Sequence, residues 1–170
     1  MLHILLVSYE FPPEMATGGI GTYMHHLAGL LYKHGHRVTV FSATLQGNKV
    51  RVVERGYCCN YLIPSADNEQ FREAVLPIFR ELLQTQVVDV MESPEVGACA
   101  LEIKLAYPSI PLIVKLHTPG VLITRVSNSN QSVFDRLRYV AGAFRRGRWD
   151  LGQWAKKARN KEDDAEYQIC

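Results

Sequence analysis

The residues of this sequence that could do chemistry lie in three polar clusters, each directly after a short apolar run. They are residues 10–21, which begin with Glu10 and contain Gly-Gly-Ile-Gly at 18–21, residues 92–95 (Glu-Ser-Pro-Glu) and residues 117–120 (His-Thr-Pro-Gly). Where a glycine-rich turn opens a helix, backbone N–H groups and the helix dipole point at one spot, and the missing side chains let an anion approach. The first cluster therefore predicts a phosphate site. The structural alternative is a solvated turn whose glycines serve only the helix start.

Two well-known phosphate loops do not fit these glycines. A P-loop needs Gly-Lys-Ser/Thr after the glycines, and the sequence has none there. The dinucleotide fingerprint does not fit either, because Met24 stands where its third glycine would be and the predicted second strand ends without an acid to bind the ribose. The loop of about ten residues between the first strand and the glycines is also too long for the tight turn of that fingerprint. A kinase-type NTPase is thus excluded, and an NAD(P)-dependent oxidoreductase is only a weak alternative.

Apolar runs alternate with segments of helical periodicity along the chain. The first predicted strand begins at residue 2, and the other five cover residues 37–42, 50–54, 57–63, 87–91 and 112–116. The predicted helices are residues 20–34, which Gly35 ends, a helix N-capped by Asp67 that reaches Gln84, and one that follows the second polar cluster to about residue 107. Pro77 is expected to kink or divide the second of these helices.

This order predicts an α/β fold, a Rossmann-like, open and mostly parallel sheet with helices on both faces. In such sheets ligands bind beyond the carboxyl ends of the strands. Because the three polar clusters all follow strands, we expect them to converge on one crevice.

Composition indicates a folded protein without an obvious bias toward one partner. Apolar residues make up 47% and charged residues 21%, and a net charge of +2 argues for neither nucleic acid nor a strongly acidic substrate. Cys58, Cys59, Cys99 and Cys170 lack metal-ligand spacing, so we expect reduced structural thiols and no metal. The apolar N-terminus is too short for a signal peptide, and no run is long enough to span a membrane. We therefore expect a cytoplasmic protein, with peripheral membrane association left open.

Residues 127–170 differ in composition from residues 1–126 and are interpreted as a basic helical extension of the same domain. Residues 128–132 predict a loop, and the following helix carries Phe134 and Phe144 on one side. Nine of the chain's 19 basic residues lie here: Arg136, Arg138, Arg145, Arg146, Arg148, Lys156, Lys157, Arg159 and Lys161. They form either a solvated helix face or, with Trp149 and Trp154, a surface for anionic lipid headgroups or an anionic acceptor.

Several short motifs stand in a recognisable order. They are Tyr-Glu-Phe-Pro-Pro at 9–13, the glycines at 18–21, Lys-His-Gly-His-Arg-Val at 33–38, Asp-Val-Met-Glu at 89–92 and His-Thr-Pro-Gly at 117–120. Together they resemble the amino-terminal domain of family-4 retaining glycosyltransferases of the GT-B fold. The resemblance covers roughly residues 2–124.

The resemblance implies two Rossmann-like domains that face a cleft, the first binding mainly the acceptor and the second the nucleotide-sugar. Gly18 and Gly19 then approach the donor diphosphate, and His117 lies close to the donor sugar in binding or in the reaction. The nucleotide-sugar is a co-substrate, the acceptor is a sugar or a lipid-linked sugar, and no metal is needed where N–H donors stabilise the leaving diphosphate. The structural alternative for His117 is a strand-end histidine with hydrogen bonds that serve only the fold.

The carboxylates and Thr118 receive their roles from the same resemblance. Glu10, Glu92 and Thr118 are expected to bind the acceptor or the sugar. Both Glu92 and Glu95 could either hold acceptor hydroxyls or cap the helix after Pro94; we favour binding for Glu92 and capping for Glu95.

The family's second domain, with its Glu-x7-Glu pattern, has no counterpart in this sequence. We therefore expect either a fragment of a longer enzyme or a half that pairs with another chain, and no turnover by the chain alone. The alternative from another class is a non-catalytic Rossmann-like binding or assembly module.

Overall fold

The computed structural model describes residues 1–15 and 18–117 and, near the C-terminus, residues 165, 166, 168 and 169. The strands are β1 (His3–Val7), β2 (Arg37–Thr44), β3 (Arg51–Glu54), β4 (Cys59–Pro64), β5 (Val90–Pro94) and β6 (Leu112–Lys115). The helices are α1 (Gly19–Lys33), α2 (Asn68–Leu83) and α3 (Leu101–Ala106), and a 3-10 turn spans Val96–Ala98.

The six strands form one sheet in the order β3-β4-β2-β1-β5-β6. All neighbouring strands run parallel except β3 and β4, which pair as an antiparallel hairpin. The order reverses at β1, which pairs with β2 on one side and with β5 on the other. The structure thus confirms the predicted Rossmann-like, mostly parallel sheet, and it places a topological switch point between β1 and β5.

Both faces of the sheet are covered because successive side chains of each strand point to opposite sides. Leu5 and Val7 of β1 pack into a core with α2 and α3. Ile4 and Leu6 pack on the other face into a core that includes Met24 of α1. All five residues of β1 are buried, as expected for the centre of a parallel sheet.

The predicted helix ends of α1 and α2 are largely confirmed. Helix α1 ends at Lys33, and Gly35 follows with a φ of 81°, a left-handed conformation that suits glycine. Asp67 caps α2, since its side chain accepts a hydrogen bond from the backbone N–H of Gln70 at 2.9 Å. The expectation that Pro77 divides this helix is wrong: α2 is continuous, and Pro77 is on its exposed side, where water can bind the carbonyl that the proline leaves unpaired.

Two predictions near the second polar cluster need correction. The strand expected at residues 87–91 lies at Val90–Pro94, so Glu92 is inside a strand rather than beyond it. Residues 87–89, which precede β5, contact His3 instead. The backbone N–H of His3 donates to the Asp89 carboxylate at 2.6 Å. The predicted helix after residue 95 is interrupted, because Gly97 (φ 72°) and Ala98 (φ 46°) have non-helical backbone angles.

Most of the predictions for residues 127–170 lie outside the described residues. This holds for the loop at 128–132, the basic helix, both tryptophans and the division at residue 126. Of the four described residues near the C-terminus, Ala165 and Ile169 are buried in the core that contains α2. Within the described part of the chain, the helices are too short or too polar to cross a membrane.

His3 should make the stability of the protein depend on pH. Its ring is buried, with Nδ1 2.6 Å from the Val87 carbonyl and Nε2 2.8 Å from the Thr39 hydroxyl. A carbonyl only accepts, so Nδ1 donates to Val87 and the neutral ring accepts from Thr39. Burial lowers the pKa of His3, and the bond to Val87 opposes this effect only in part.

Since the unfolded chain takes up this proton at a higher pH than the folded chain does, the free energy of unfolding should fall as the pH decreases from about 7 through the folded pKa. Urea unfolding of the wild type and of His3→Gln between pH 7.5 and pH 5 measures this effect. The variant should lose part of the slope, whereas His34→Gln, at an exposed histidine, should keep it. Equal slopes in the wild type and His3→Gln would contradict the assignment.

Candidate functional site

A small cavity lies at the switch point between β1 and β5. Its volume is about 40 Å³, and its lining comes from the ends of β1 and β5 and the first turns of α1 and α2: Ser8, Tyr9, Glu10, Ile20, Asn68, Pro94 and Val96. Strand ends and helix starts meet here in the way that forms ligand crevices in open α/β sheets. The cavity therefore marks the candidate site.

Two larger grooves lie elsewhere, along α1 and the turn between β3 and β4. Their volumes are about 560 and 490 Å³, and Tyr32, Gly56 and Tyr57 line both. None of the described residues in the three polar clusters lines them. We place the candidate site at the ends of β1, β5 and β6, beside the smaller cavity, whose lining includes Glu10 but neither Glu92 nor His117.

The start of α1 is in contact with a carboxylate of the protein itself. Oε2 of Glu10 accepts a hydrogen bond from the backbone N–H of Gly21 at 3.4 Å. A Cβ atom at Gly18 would lie 3.3 Å from the same oxygen and one at Gly21 would lie 3.3 Å from Cβ of Glu10, whereas one at Gly19 would meet no atom of the described residues within 4 Å. The missing side chains at Gly18 and Gly21 thus make room for Glu10. Diphosphate binding by Gly18 and Gly19 remains a prediction.

Tyr23, one turn into α1, connects the polar clusters. Its hydroxyl donates to Oε1 of Glu92 at 2.7 Å. Its ring stands edge-on to the imidazole of His117, with centroids 5.2 Å apart and planes at 75°, and Nζ of Lys115 lies 5.6 Å from the ring centroid. Helix α1, β5 and the end of β6 therefore meet at Tyr23, which brings the second and third polar clusters together.

Burial, together with the hydrogen bond to Glu92, raises the pKa of Tyr23 to about 12. The phenol is therefore neutral at physiological pH and serves as a donor. Glu92 is only 9% exposed, so this hydrogen bond supplies a partner to a carboxylate that water hardly reaches.

Glu95 has a different partner from the one that we expect from the sequence. Its side chain is fully buried, and Oε1 accepts a hydrogen bond from the backbone N–H of His117 at 2.7 Å. It makes no capping bond to the 3-10 turn that follows, so the capping prediction is wrong. The physical reason is that the carboxylate turns across the sheet toward the chain that leaves β6.

Comparison with known proteins gives the family. A model of Glycosyltransferase Family 4 matches residues 17–161, most of the chain. The chain belongs to this family. A stretch of 46 residues is also 44% identical to glycogen synthase from two strains of Mycobacterium tuberculosis, but it covers 27% of this chain and 11% of those proteins.

Two solved structures show the shared fold. Sucrose-phosphate synthase from Thermosynechococcus elongatus is similar with a TM-score of 0.57 at 16% identity, over 81% of this chain and 39% of that one. The catalytic domain of starch synthase IV from Arabidopsis thaliana, bound to ADP and acarbose, has a TM-score of 0.54 at 16% identity, over 69% and 34% of the two chains. The predicted likeness to an amino-terminal GT-B domain is thus confirmed, and the family-4 chain spans well under half the length of these proteins.

In this family-4 glycosyltransferase domain, the predicted site residues Glu10, Glu92 and His117 lie at the same edge of the sheet. Thr118 lies outside the described residues. Sequence reasoning did not identify Tyr23 as a site residue. The available signal was its position four residues after Gly19, one helical turn from the glycine-rich start.

The three cysteine thiols in the described part of the chain are not suited to chemistry at neutral pH. Burial raises the pKa of Cys58 to about 11 and the pKa values of Cys59 and Cys99 to about 12, so these free cysteines stay protonated. Among the residues that the structure describes, no group of three or more His, Cys, Asp or Glu side chains is arranged to hold a metal ion.

Tyr23→Phe should lower the free energy of unfolding of the glycosyltransferase domain by about 1–2 kcal/mol, because Glu92 loses a hydrogen-bond donor in a buried place. Urea unfolding at pH 7 measures the change. Tyr32→Phe is the matched control, since Tyr32 is 52% exposed, and it should change the value by less than about 0.5 kcal/mol. Equal effects of the two substitutions would show that the bond to Glu92 contributes nothing.

Proposed function

We propose that this chain is the acceptor-side half of a glycosyltransferase that moves a sugar from a nucleotide-sugar to an acceptor with retention of configuration. The observation that carries the proposal is the meeting of Tyr23, Glu92 and His117 at the carboxyl edge of a family-4 domain. A histidine, a carboxylate and a phenol side by side offer both donors and acceptors for the hydroxyls of a sugar.

In this proposal the donor diphosphate lies at the start of α1. Its negative charge grows as the bond to the sugar breaks, and backbone N–H groups at a helix start stabilise such charge. Gly19 is the better placed of the two predicted glycines because the space beside it is open. Glu10 adjoins Gly18, so its carboxylate would repel a diphosphate there unless it moves or binds a sugar hydroxyl instead.

His117 contacts the donor sugar, and Glu92 binds a hydroxyl of the sugar or the acceptor through the oxygen that Tyr23 does not occupy. Tyr23 keeps both groups in place through its hydroxyl and its ring. The reaction uses no metal, since N–H donors stabilise the leaving diphosphate.

The donor nucleotide would be held by a second domain, in the same protein or in a partner chain. Support comes from the shares of sucrose-phosphate synthase and starch synthase IV that this chain covers, 39% and 34%. The 170-residue chain should therefore not turn over a donor alone. Family membership argues against the nicotinamide alternative.

Titration of the ¹⁵N-labelled chain with ADP-glucose and UDP-glucose tests the proposal. We expect weak binding, with a dissociation constant on the order of 1 mM. The largest chemical-shift changes should be at the amides of Gly19 and His117, and pyrophosphate should compete with the nucleotide-sugars for binding. His117→Ala should weaken the response to the nucleotide-sugars while leaving the response to pyrophosphate. NADH is titrated in the same way to test the oxidoreductase alternative.

Shifts with NADH but with neither nucleotide-sugar would support the oxidoreductase. No response near Gly19 and His117 to any nucleotide-sugar would favour the non-catalytic module. Release of ADP or UDP by the chain alone would contradict the need for a second domain.

A further inference from the structure

We infer that Glu95 is a positioning residue, which fixes the backbone at His117 and thereby sets where the imidazole meets its substrate. The substrate part of this inference rests on the proposed function. The structural part, that Glu95 determines the position of His117, stands on contacts within the chain and can be tested without any ligand.

Glu95 holds the chain on both sides of Leu116. Its backbone N–H donates to the Lys115 carbonyl at 3.3 Å, and its side chain accepts from the His117 N–H at 2.7 Å. The ladder between β5 and β6 ends at the pair of Pro94 and Lys115. Beyond that pair the sheet offers His117 no ladder bond among the described residues, so the Glu95 carboxylate takes over where strand pairing stops.

The bond is of a strong kind. The donor–acceptor distance of 2.7 Å is at the short end of the range for N–H···O bonds, and the environment of Glu95 is fully buried, which strengthens the interaction. The second oxygen of this carboxylate, Oε2, is also buried and has no hydrogen-bond partner within the described ranges. Among the described residues, the side chain of Glu95 is therefore held by one hydrogen bond, so we expect its loss to be felt first at His117.

The turn that carries Glu95 is itself held firmly. The backbone N–H of Gly97 donates to Oε1 of Glu166 at 3.2 Å, and its carbonyl accepts from Nη1 of Arg72 at 3.4 Å. The N–H of Ala98 donates to the Glu95 carbonyl at 3.0 Å. Because the turn is fixed at several points, Glu95 can hold His117 at a constant distance from β5.

Two of the contacts of His117 bear on the place of its imidazole. Glu95 fixes the backbone of His117, and the ring of Tyr23 packs against the side chain. Loss of Glu95 should leave the imidazole near Tyr23 but in more than one position. If the imidazole must contact one particular atom of the sugar, this spread of positions lowers the fraction of molecules in which the contact forms.

The experiment compares ¹⁵N,¹³C-labelled wild type, Glu95→Ala, Glu95→Gln and Glu73→Gln without ligand. Glu73 is an exposed glutamate of α2 and provides the matched control. In Glu95→Ala the His117 amide should exchange with solvent roughly tenfold faster or more, and the nuclear Overhauser effects between the rings of Tyr23 and His117 should weaken. Glu95→Gln keeps a neutral acceptor and should show an intermediate exchange rate. Glu73→Gln should match the wild type.

Amides of β1 and β2 in the same spectra report global unfolding. A His117 amide that keeps its wild-type exchange rate in folded Glu95→Ala would overturn the inference, as would an acceleration that is equal in β1, β2 and at His117. If Glu95→Ala does not fold, Glu95→Leu decides, because leucine fills similar space without an acceptor, and an unchanged His117 amide in that variant would overturn the inference too.

Addition of ADP-glucose separates this inference from the proposed function. In Glu95→Ala the response of His117 at saturating ADP-glucose should shrink by about half or more, while Gly19 responds as in the wild type. A wild type that ignores ADP-glucose would contradict the proposed function and leave the Glu95 exchange result intact. A wild type that responds while Glu95→Ala gives the same His117 response would overturn the positioning role alone.

Discussion

Gly97→Ala is expected to lower the free energy of unfolding by about 2–4 kcal/mol, one of the largest effects of a single methyl group in this protein. Two costs add up. The φ of Gly97 is 72°, which an alanine adopts only with strain. A Cβ atom there would also lie 2.6 Å from Cγ and 2.7 Å from Oδ1 of Asn68, so the first side chain of α2 would have to move.

The consequences of this substitution reach the candidate site, because Asn68 and Val96 both line the cavity and the turn carries Glu95. Urea unfolding gives the free energy. Gly29→Ala is the matched control: Gly29 lies inside α1 with nothing within 4 Å of its Cβ position, so that change should be neutral or stabilise by up to about 1 kcal/mol.

The double variant Gly97→Ala with Asn68→Ala removes part of the steric cost of the Gly97 substitution. It relieves the contacts to Cγ and Oδ1 of Asn68, but Cβ of residue 68 would still lie 2.9 Å from the new methyl group, so only part of the lost stability should return. If Gly97→Ala and Gly29→Ala had the same effect on unfolding, the assigned conformation of the turn would be wrong.

Phe11→Ala should lower the free energy of unfolding by about 3–5 kcal/mol. Phe11 lies in the loop between β1 and α1, yet it is fully buried and packs into the core under α1 with Leu6 and Met24. Its carbonyl also accepts from the N–H of Met15 at 3.1 Å. The ring anchors the loop that carries Glu10, so its removal leaves a cavity and loosens the loop.

Two measurements check this prediction, urea unfolding and amide hydrogen exchange. The amide of Met15 should exchange faster in Phe11→Ala at conditions where the amides of β2 do not change. Leu45→Ala, at a residue that is 69% exposed, should cost less than about 0.5 kcal/mol. A loss in Phe11→Ala no larger than that in Leu45→Ala would rule out the anchoring role.

Taken together, the two substitutions address the two ends of the crevice. Gly97 shapes the turn after β5, and Phe11 shapes the loop after β1. Both loops adjoin the switch point between β1 and β5, where connections that leave the sheet in opposite directions open a crevice.

Most of the fold could be predicted from patterns within short stretches of the sequence. The helix starting beside the glycines and ending before Gly35 follows from apolar spacing and from a left-handed terminator, and the cap at Asp67 follows from the side chain that a helix start favours. The alternation of strands and helices was enough to predict a parallel sheet, because a parallel connection requires a crossover. The order of the motifs was enough to indicate the glycosyltransferase family.

The same local signals misplaced the third helical segment and β5. Periodicity does not detect that Gly97 and Ala98 leave the helical region. Residues 87–89 (Val-Val-Asp) begin like a strand, yet they lie before β5 and bind His3 through both backbone and side-chain hydrogen bonds. Whether an apolar run becomes a strand of the sheet therefore depends on which residues lie beside it in space.

What the sequence determined by itself was the α/β architecture and the family, since these depend on patterns within short stretches of the chain. What only the tertiary structure decided was the pairing inside the site. Tyr23 meets Glu92 across 69 positions of chain and Glu95 meets His117 across 22. Such partners are set by strand order and register, which place two side chains within hydrogen-bond reach only after the whole sheet has formed.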